Sequence, residues 1–183
     1  YSMISALDDA IGEVHQKIKD LGLEENTLIF FLSDNGGASY TGATDNGPLK
    51  GGKLTQFEGG INVPFMMKWK GVIPEGQRYE HPVSSTDIFA TAVLNAGGRL
   101  PTDRPYDGVD LLPYLSGALD GQPHEQLFWR CDHIWAIRDG NYKLILSTRD
   151  GWAELYDLKT DKSESYNLKE QMPELLEQLR LKH

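Results

Sequence analysis

Asp34 and Asn35 stand side by side at the end of the apolar run Thr27-Leu28-Ile29-Phe30-Phe31-Leu32, where they offer a carboxylate and a carboxamide. Oxygen donors of this kind suit a hard divalent cation such as Ca²⁺ or Mg²⁺ rather than zinc. The run is continuously apolar and too short for a typical helix, so it reads as a strand covered on both faces. In an open α/β sheet, ligands gather at the carboxyl ends of such strands. Ser33-Asp34-Asn35-Gly36-Gly37 also suits an ordinary turn leaving a strand, and the pentapeptide alone leaves both readings open.

Further along, Gly47-Pro48-Leu49-Lys50-Gly51-Gly52-Lys53 fits G-x-x-x-x-G-K, the opening of a phosphate-binding loop. Leu54 stands where that motif needs Ser or Thr for Mg²⁺, and no buried strand leads directly into it, so nucleotide binding is rejected. Lys53 remains as a charge on a glycine-rich loop, with Lys50 close beside it. The single cysteine, Cys131 in Arg130-Cys131-Asp132-His133, cannot form an intrachain disulfide and reads as a structural or incidental thiol. Of the histidines at 15, 81, 124, 133 and 183, His15 belongs to a helical pattern and His183 to the terminus. His133, in a predicted hairpin turn, is the one of functional interest.

The elements that must carry these groups follow from periodicity. Ile4, Leu7, Ile11, Val14, Ile18 and Leu21 recur at three- and four-residue steps, which predicts an amphipathic helix closed by Gly22 as a left-handed cap, with Leu23 making the accompanying contact. Helix, short loop and strand over residues 1–33 form the second half of a β-α-β unit, and a chain that opens inside a helix is expected to be a piece of something larger. Residues 34–62 are glycine-rich and read as a long loop of the functional kind. Val63 to Trp69 predicts a further strand, and Ser84 with Asp87 a capping signal for a helix through Ile88, Phe89, Ala92 and Val93, stopped at Gly97-Gly98. After a Pro-, Asp- and Gly-rich connection over 99–125, Leu127–Arg130, Ile134–Ile137, Tyr142–Leu146 and Glu154–Asp157 are short strands of an antiparallel meander. Pro173 opens a last helix with Leu175, Leu176 and Leu179.

The chain has 183 residues, with apolar content of 39% and four Trp, which argues for a packed core and against disorder. A net charge of -9 disfavours nucleic acid or an anionic membrane as a partner, although a bound metal can still draw an anionic substrate. No run approaches the length of a transmembrane helix, and no signal peptide opens the chain.

Asp34-Asn35-Gly36, then Gly52-Lys53-Leu54-Thr55-Gln56-Phe57-Glu58-Gly59-Gly60-Ile61-Asn62-Val63-Pro64, resembles the type I, formylglycine-dependent sulfatases. The match continues through Ser84-Ser85-Thr86-Asp87-Ile88, Asp107-Gly108-Val109-Asp110-Leu111-Leu112-Pro113, Ala136-Ile137-Arg138-Asp139-Gly140-Asn141-Tyr142-Lys143-Leu144-Ile145 and Glu154-Leu155-Tyr156-Asp157-Leu158, and it covers only the C-terminal portion of such an enzyme. The resemblance implies an α/β, alkaline-phosphatase-like fold: residues 1–98 as the C-terminal part of the catalytic core, 99–125 as connection, and 126–183 as a small antiparallel sheet with a C-terminal helix. It implies Asp34 and Asn35 as two ligands of Ca²⁺, with Mg²⁺ as the alternative, the other ligands being an Asp pair upstream. It makes Lys53 the lysine that contacts the sulfate, and brings His133, with Arg130 or Trp135, to the border of the pocket. The family nucleophile, formylglycine, arises from Cys or Ser in Cys/Ser-x-Pro-x-Arg; its hydrate attacks sulfur and expels the alcohol, and elimination of sulfate restores the aldehyde. None of the nine prolines here has Cys or Ser two positions before it, so the nucleophile is expected in an N-terminal part of the same protein, and this chain alone is expected to be inactive. Asn62 departs from the pattern, which commonly has Arg there and puts the local packing in question. The implied substrate is a sulfated small molecule or glycan, and the implied location is the periplasm or the cell exterior. A phosphonate monoester or phosphodiester hydrolase, and a non-catalytic metal- or glycan-binding module, are the alternatives.

Overall fold

The helical pattern at the start of the chain forms α1, Ser2–Asp20, in a computed structural model that describes residues 1–182. His183 lies outside the described residues. Lys17 and Lys19 complement the dipole in the last turn. Gly22, at φ 65°, takes the left-handed conformation, and the Leu23 N–H donates to Ile18 O at 3.0 Å to close the end. No residue of α1 is buried: Ile4 is 67% and Leu7 54% exposed, so the apolar stripe that the spacing predicts is uncovered among the described residues.

The chain divides into two compact units. The first holds residues 1–31 and 66–123. Its two-stranded sheet pairs β1, Ile29–Leu32, with β2, Phe65–Lys68, each ending or beginning where the chain passes to the second unit. Phe31 is 39% exposed, so the expectation of a strand covered on both faces is not met. A sheet of two strands has too few layers around it for that. Helix α3, Asp87–Asn95, starts where the capping signal placed it, with Asp87 as the working group. Its buried carboxylate accepts the N–H of Ser84 at 2.7 Å and of Val109 at 2.9 Å. One short helix, α4 at Leu112–Leu115, interrupts the stretch read as connection.

Among the described residues, the second unit holds 32–65 and 124–182. Within its glycine-rich stretch the chain makes a 3-10 turn at Ser39–Thr41 and a single α-helical turn, α2, at Glu58–Ile61. The predicted meander forms in the order β3-β4-β5-β6, all antiparallel, from Gln126–Cys131, Ile134–Asp139, Tyr142–Ser147 and Ala153–Asp157. Two-residue loops set the register: Gly140-Asn141 joins Asp139 to its partner Tyr142, and Asp132-His133 joins Cys131 to Ile134. Gly140 and Asp132 both have positive φ, as such tight hairpins demand. One face of the sheet packs Ala136, Ile145 and Tyr156 with Phe57 of the glycine-rich stretch and with Trp129. The other packs Ile137, Leu144 and Leu155 under α5, Pro173–Leu181, through Leu175, Leu176 and Leu179.

Candidate functional site

The predicted site residues all fall in the second unit. Asp34 is exposed and Asn35 half-buried just beyond β1. The Ser33 hydroxyl donates to Asn35 O at 2.8 Å, and the Asn35 N–H to Asp34 Oδ1 at 3.0 Å, which folds the two donors into a tight turn. The Asn35 amide donates to Gly36 O at 2.8 Å, and its own oxygen has no hydrogen-bond donor among the described residues. A carboxylate and a carbonyl-type oxygen with open lone pairs fit a hard cation. They are two of the six to eight oxygens that Ca²⁺ takes, and no group of three or more His, Cys, Asp or Glu among the described residues is placed to complete the set. The structure thus brings together two oxygen donors that could contribute to such a site.

Backbone contacts bring Lys53 to the same place. Its N–H donates to Gly37 O at 3.0 Å. Asn46 ties the two segments together, accepting from the Gly37 N–H at 2.8 Å and donating to the oxygens of Gly37 and Gly51 at 2.9 and 3.1 Å. The Lys53 side chain is exposed and makes no ion pair among the described residues. Lys50 differs in kind. Its ammonium lies 3.1 Å from Glu154 Oε2, donates to the Tyr156 hydroxyl at 2.8 Å, and sits 4.2 Å from the centre of the Phe57 ring. Burial, then the Glu154 carboxylate beside it, push the Tyr156 phenol far above its ordinary range. Lys50 is an anchor, and Lys53 is an unpaired charge among the described residues.

A second anchor escaped the sequence reading. Lys143 is fully buried on β5, with its ammonium 2.7 Å from Glu58 Oε1 and 2.9 Å from Glu164 Oε1. The approach to Glu164 Oε1 is an ion pair outside hydrogen-bond geometry. Glu164 Oε2 accepts the Glu58 N–H at 2.7 Å, and Asn62 donates to Glu58 Oε2 at 2.9 Å. Asn62, the departure from the family pattern, therefore still serves Glu58 as a neutral donor. Burial pushes the Glu164 carboxyl up, against the pull of the Lys143 ammonium. The available signal was Lys143 itself, a charge at a position that alternation places on the same face as Ile145.

His133 occupies the predicted hairpin turn. Its Nδ1 lies 2.7 Å from Asp132 Oδ2 and its Nε2 3.3 Å from Asp150 Oδ2, so both ring nitrogens are engaged within the sheet's own turns. The hydrogen bond from His133 holds the Asp132 carboxyl below the usual range, and that from the Ser147 hydroxyl does the same for Asp150. Arg130 stacks on Trp135, its guanidinium carbon 4.1 Å from the ring centre. His133 and Arg130 thus have partners within the second unit.

Comparison with known proteins gives this geometry a context. Residues 1–98 match the family described as sulfatase, and residues 52–182 the family described as N-sulphoglucosamine sulphohydrolase, C-terminal. Rat (Rattus norvegicus) steryl-sulfatase is 41% identical over 138 residues, which are 70% of this chain and 24% of that protein. Dog (Canis lupus familiaris) N-acetylgalactosamine-6-sulfatase is 38% identical over 157 residues, 82% of this chain and 30% of that one. The crystal structure of Ps i-CgsB in complex with k-i-k-neocarrahexaose superposes with a TM-score of 0.86 at 29% identity, over 98% of this chain and 40% of that one. The chain thus spans about a quarter to a third of the curated relatives that it matches. On these matches, which run from end to end of the chain and through both halves of the site, it belongs to the sulfatase family.

Proposed function

We propose that the chain is the C-terminal part of a sulfatase that hydrolyses a sulfate ester, aryl or carbohydrate, to an alcohol and inorganic sulfate. The observation that carries the reading is the contrast between two lysines of one loop. Lys50 is consumed by Glu154 and Tyr156, whereas Lys53 stands exposed, and unpaired among the described residues, on backbone shared with the Asp34–Asn35 turn. An ammonium held in that way can lie against the sulfuryl oxygens and the departing alkoxide, where negative charge develops. Asp34 and Asn35 would hold part of a Ca²⁺ ion, or of Mg²⁺, whose chemistry when bound is to polarise the sulfate. The formylglycine nucleophile and the remaining ligands belong to an N-terminal part of the same protein. The relatives are sulfatases of sterols and sugars, and a neighbour of the same fold is described with a carbohydrate. No helix among the described residues is long and apolar enough to cross a membrane, and export is part of the proposal.

The test is a sulfate-release assay on the full-length protein, with an aryl phosphonate monoester run in parallel. Lys53→Ala is expected to lower turnover by about two orders of magnitude or more, with little change in melting temperature. Asp34→Ala is expected to lower both bound Ca²⁺ and turnover. Lys50→Ala is expected to lower the melting temperature first, since it leaves Glu154 without its cation. Release of phosphonate in place of sulfate would assign the protein to the other chemistry, and normal turnover by Lys53→Ala would remove that lysine from the mechanism.

A further inference from the structure

We propose that the buried cluster Glu58–Lys143–Glu164 is a positioning device, which holds Asp34–Asn35 and Lys53 in one fixed arrangement through the short helix α2. The proposal rests on the functional reading above. The cluster holds α2 at its first residue, with Lys143 on Oε1 and Glu164 on the N–H of Glu58, while Asn62, the C-cap of α2 itself, donates to Oε2. From α2 the constraint passes to the site through backbone alone. Gly60 O accepts the N–H of Gly36, next to Asn35, at 2.8 Å. A Cβ on Gly36 would stand 1.7 Å from Gly59 O, so no side chain intervenes. The Gly59 N–H donates to Lys50 O at 2.7 Å, and a Cβ on Gly60 would stand 2.2 Å from Thr55 O and 2.5 Å from Gly52 O. Gly52 precedes Lys53 and Gly36 follows Asn35, so α2 is the common support of both halves of the site. Backbone packed on backbone has no rotamers with which to absorb a displacement. A shift of α2 is therefore passed on to the candidate ligands and to Lys53, and a misplacement of about 1 Å can cost about 100-fold in rate.

The test compares Lys143→Met, Lys143→Arg and wild type as full-length proteins, by three measurements. Amide hydrogen exchange reads the support directly. In Lys143→Met the Gly36 and Gly59 amides should exchange at least about tenfold faster, while amides of α3 in the other unit keep their protection. Turnover of an aryl sulfate should fall about 100-fold, and Ca²⁺ should bind more weakly, at a temperature where circular dichroism shows the variant folded. Lys143→Arg, which keeps the charge, should recover much of both. If Lys143→Met does not fold, Glu58→Ala, which removes the side chain that Lys143 and Asn62 hold while leaving Lys143 its Glu164 partner, serves for the same comparison. Unchanged exchange at Gly36 and Gly59 with unchanged turnover in a folded but less stable variant would overturn the proposal and leave the cluster purely stabilising. Faster exchange at those amides in a protein whose wild type releases no sulfate would uphold the positioning role while removing the sulfatase reading beneath it.

Discussion

Lys143 faces two carboxylates with no solvent to share the charge. With both ionised, the cluster bears one excess negative charge, and burial answers by raising the proton affinity of Glu164. The folded state then holds a proton at a pH where the unfolded chain has released it. Stability is lost as pH rises from about the ordinary glutamate value through the raised one. Glu164→Gln removes that titration. Its melting temperature is expected to gain on that of wild type as pH is taken upward from about 4.5, the ordinary glutamate value. Thermal unfolding of both proteins across that range decides it, and a constant gap would mean that the Glu164 carboxyl is not raised. At this scale the sequence was half legible. Asp34, Asn35 and Lys53 were legible as candidates through residue type, loop context and the family motif, because the work proposed for them needs exposed oxygen and exposed charge. Glu58 and Glu164 did not, because whether a carboxylate is buried depends on a partner far away in the chain.

Elements were more legible than contacts. The helix ending at Gly22, the four strands of the meander and the helix opened by Pro173 follow from period, turn chemistry and caps, which are local properties. The short helices α2 and α4 were not foreseen, since four residues leave no periodicity to read. The exposed side of β1 was misjudged because an apolar run reports a tendency to be buried, and the covering layer is a property of the whole fold. Helix α5 earns its place through Leu179, which is 2% exposed against Ile137, Leu144 and Leu155. Leu179→Ala is expected to cost about 2–5 kcal/mol. Because α5 covers the face opposite the glycine-rich stretch, the loss should appear in denaturant unfolding. At temperatures where the variant stays folded, turnover of the full-length enzyme should be near wild type. A variant as stable as wild type would mean that α5 is not docked on the sheet in solution.

For the whole molecule, the proposal makes a sharp division of labour. Purified protein of residues 1–183 is expected to release no sulfate from an aryl sulfate under conditions where the full-length protein does, because Cys/Ser-x-Pro-x-Arg is absent from this stretch. Turnover by residues 1–183 alone would place the nucleophile here. The exposed stripe of α1, with Ile4, Leu7 and Val14, is the surface that the rest of such a protein would be expected to cover. The wiring of the second unit bears on how the chain acquires its shape. Glu58 meets Lys143 across 85 positions of sequence and Glu164 across 106, and Lys50 meets Glu154 across 104. Closing loops of that length is entropically costly and slow relative to forming local helices and hairpins. On a ribosome, Asp34, Asn35 and Lys53 emerge long before the strand and the turn that steady them. Until Lys143 and Glu164 have been made, Glu58 lacks the partners that hold α2 in the folded chain. A premature stop codon between Lys53 and Lys143 would leave Asp34, Asn35 and Lys53 in the product and remove both Lys143 and Glu164, so such an allele would encode these candidate groups without the cluster proposed to hold them.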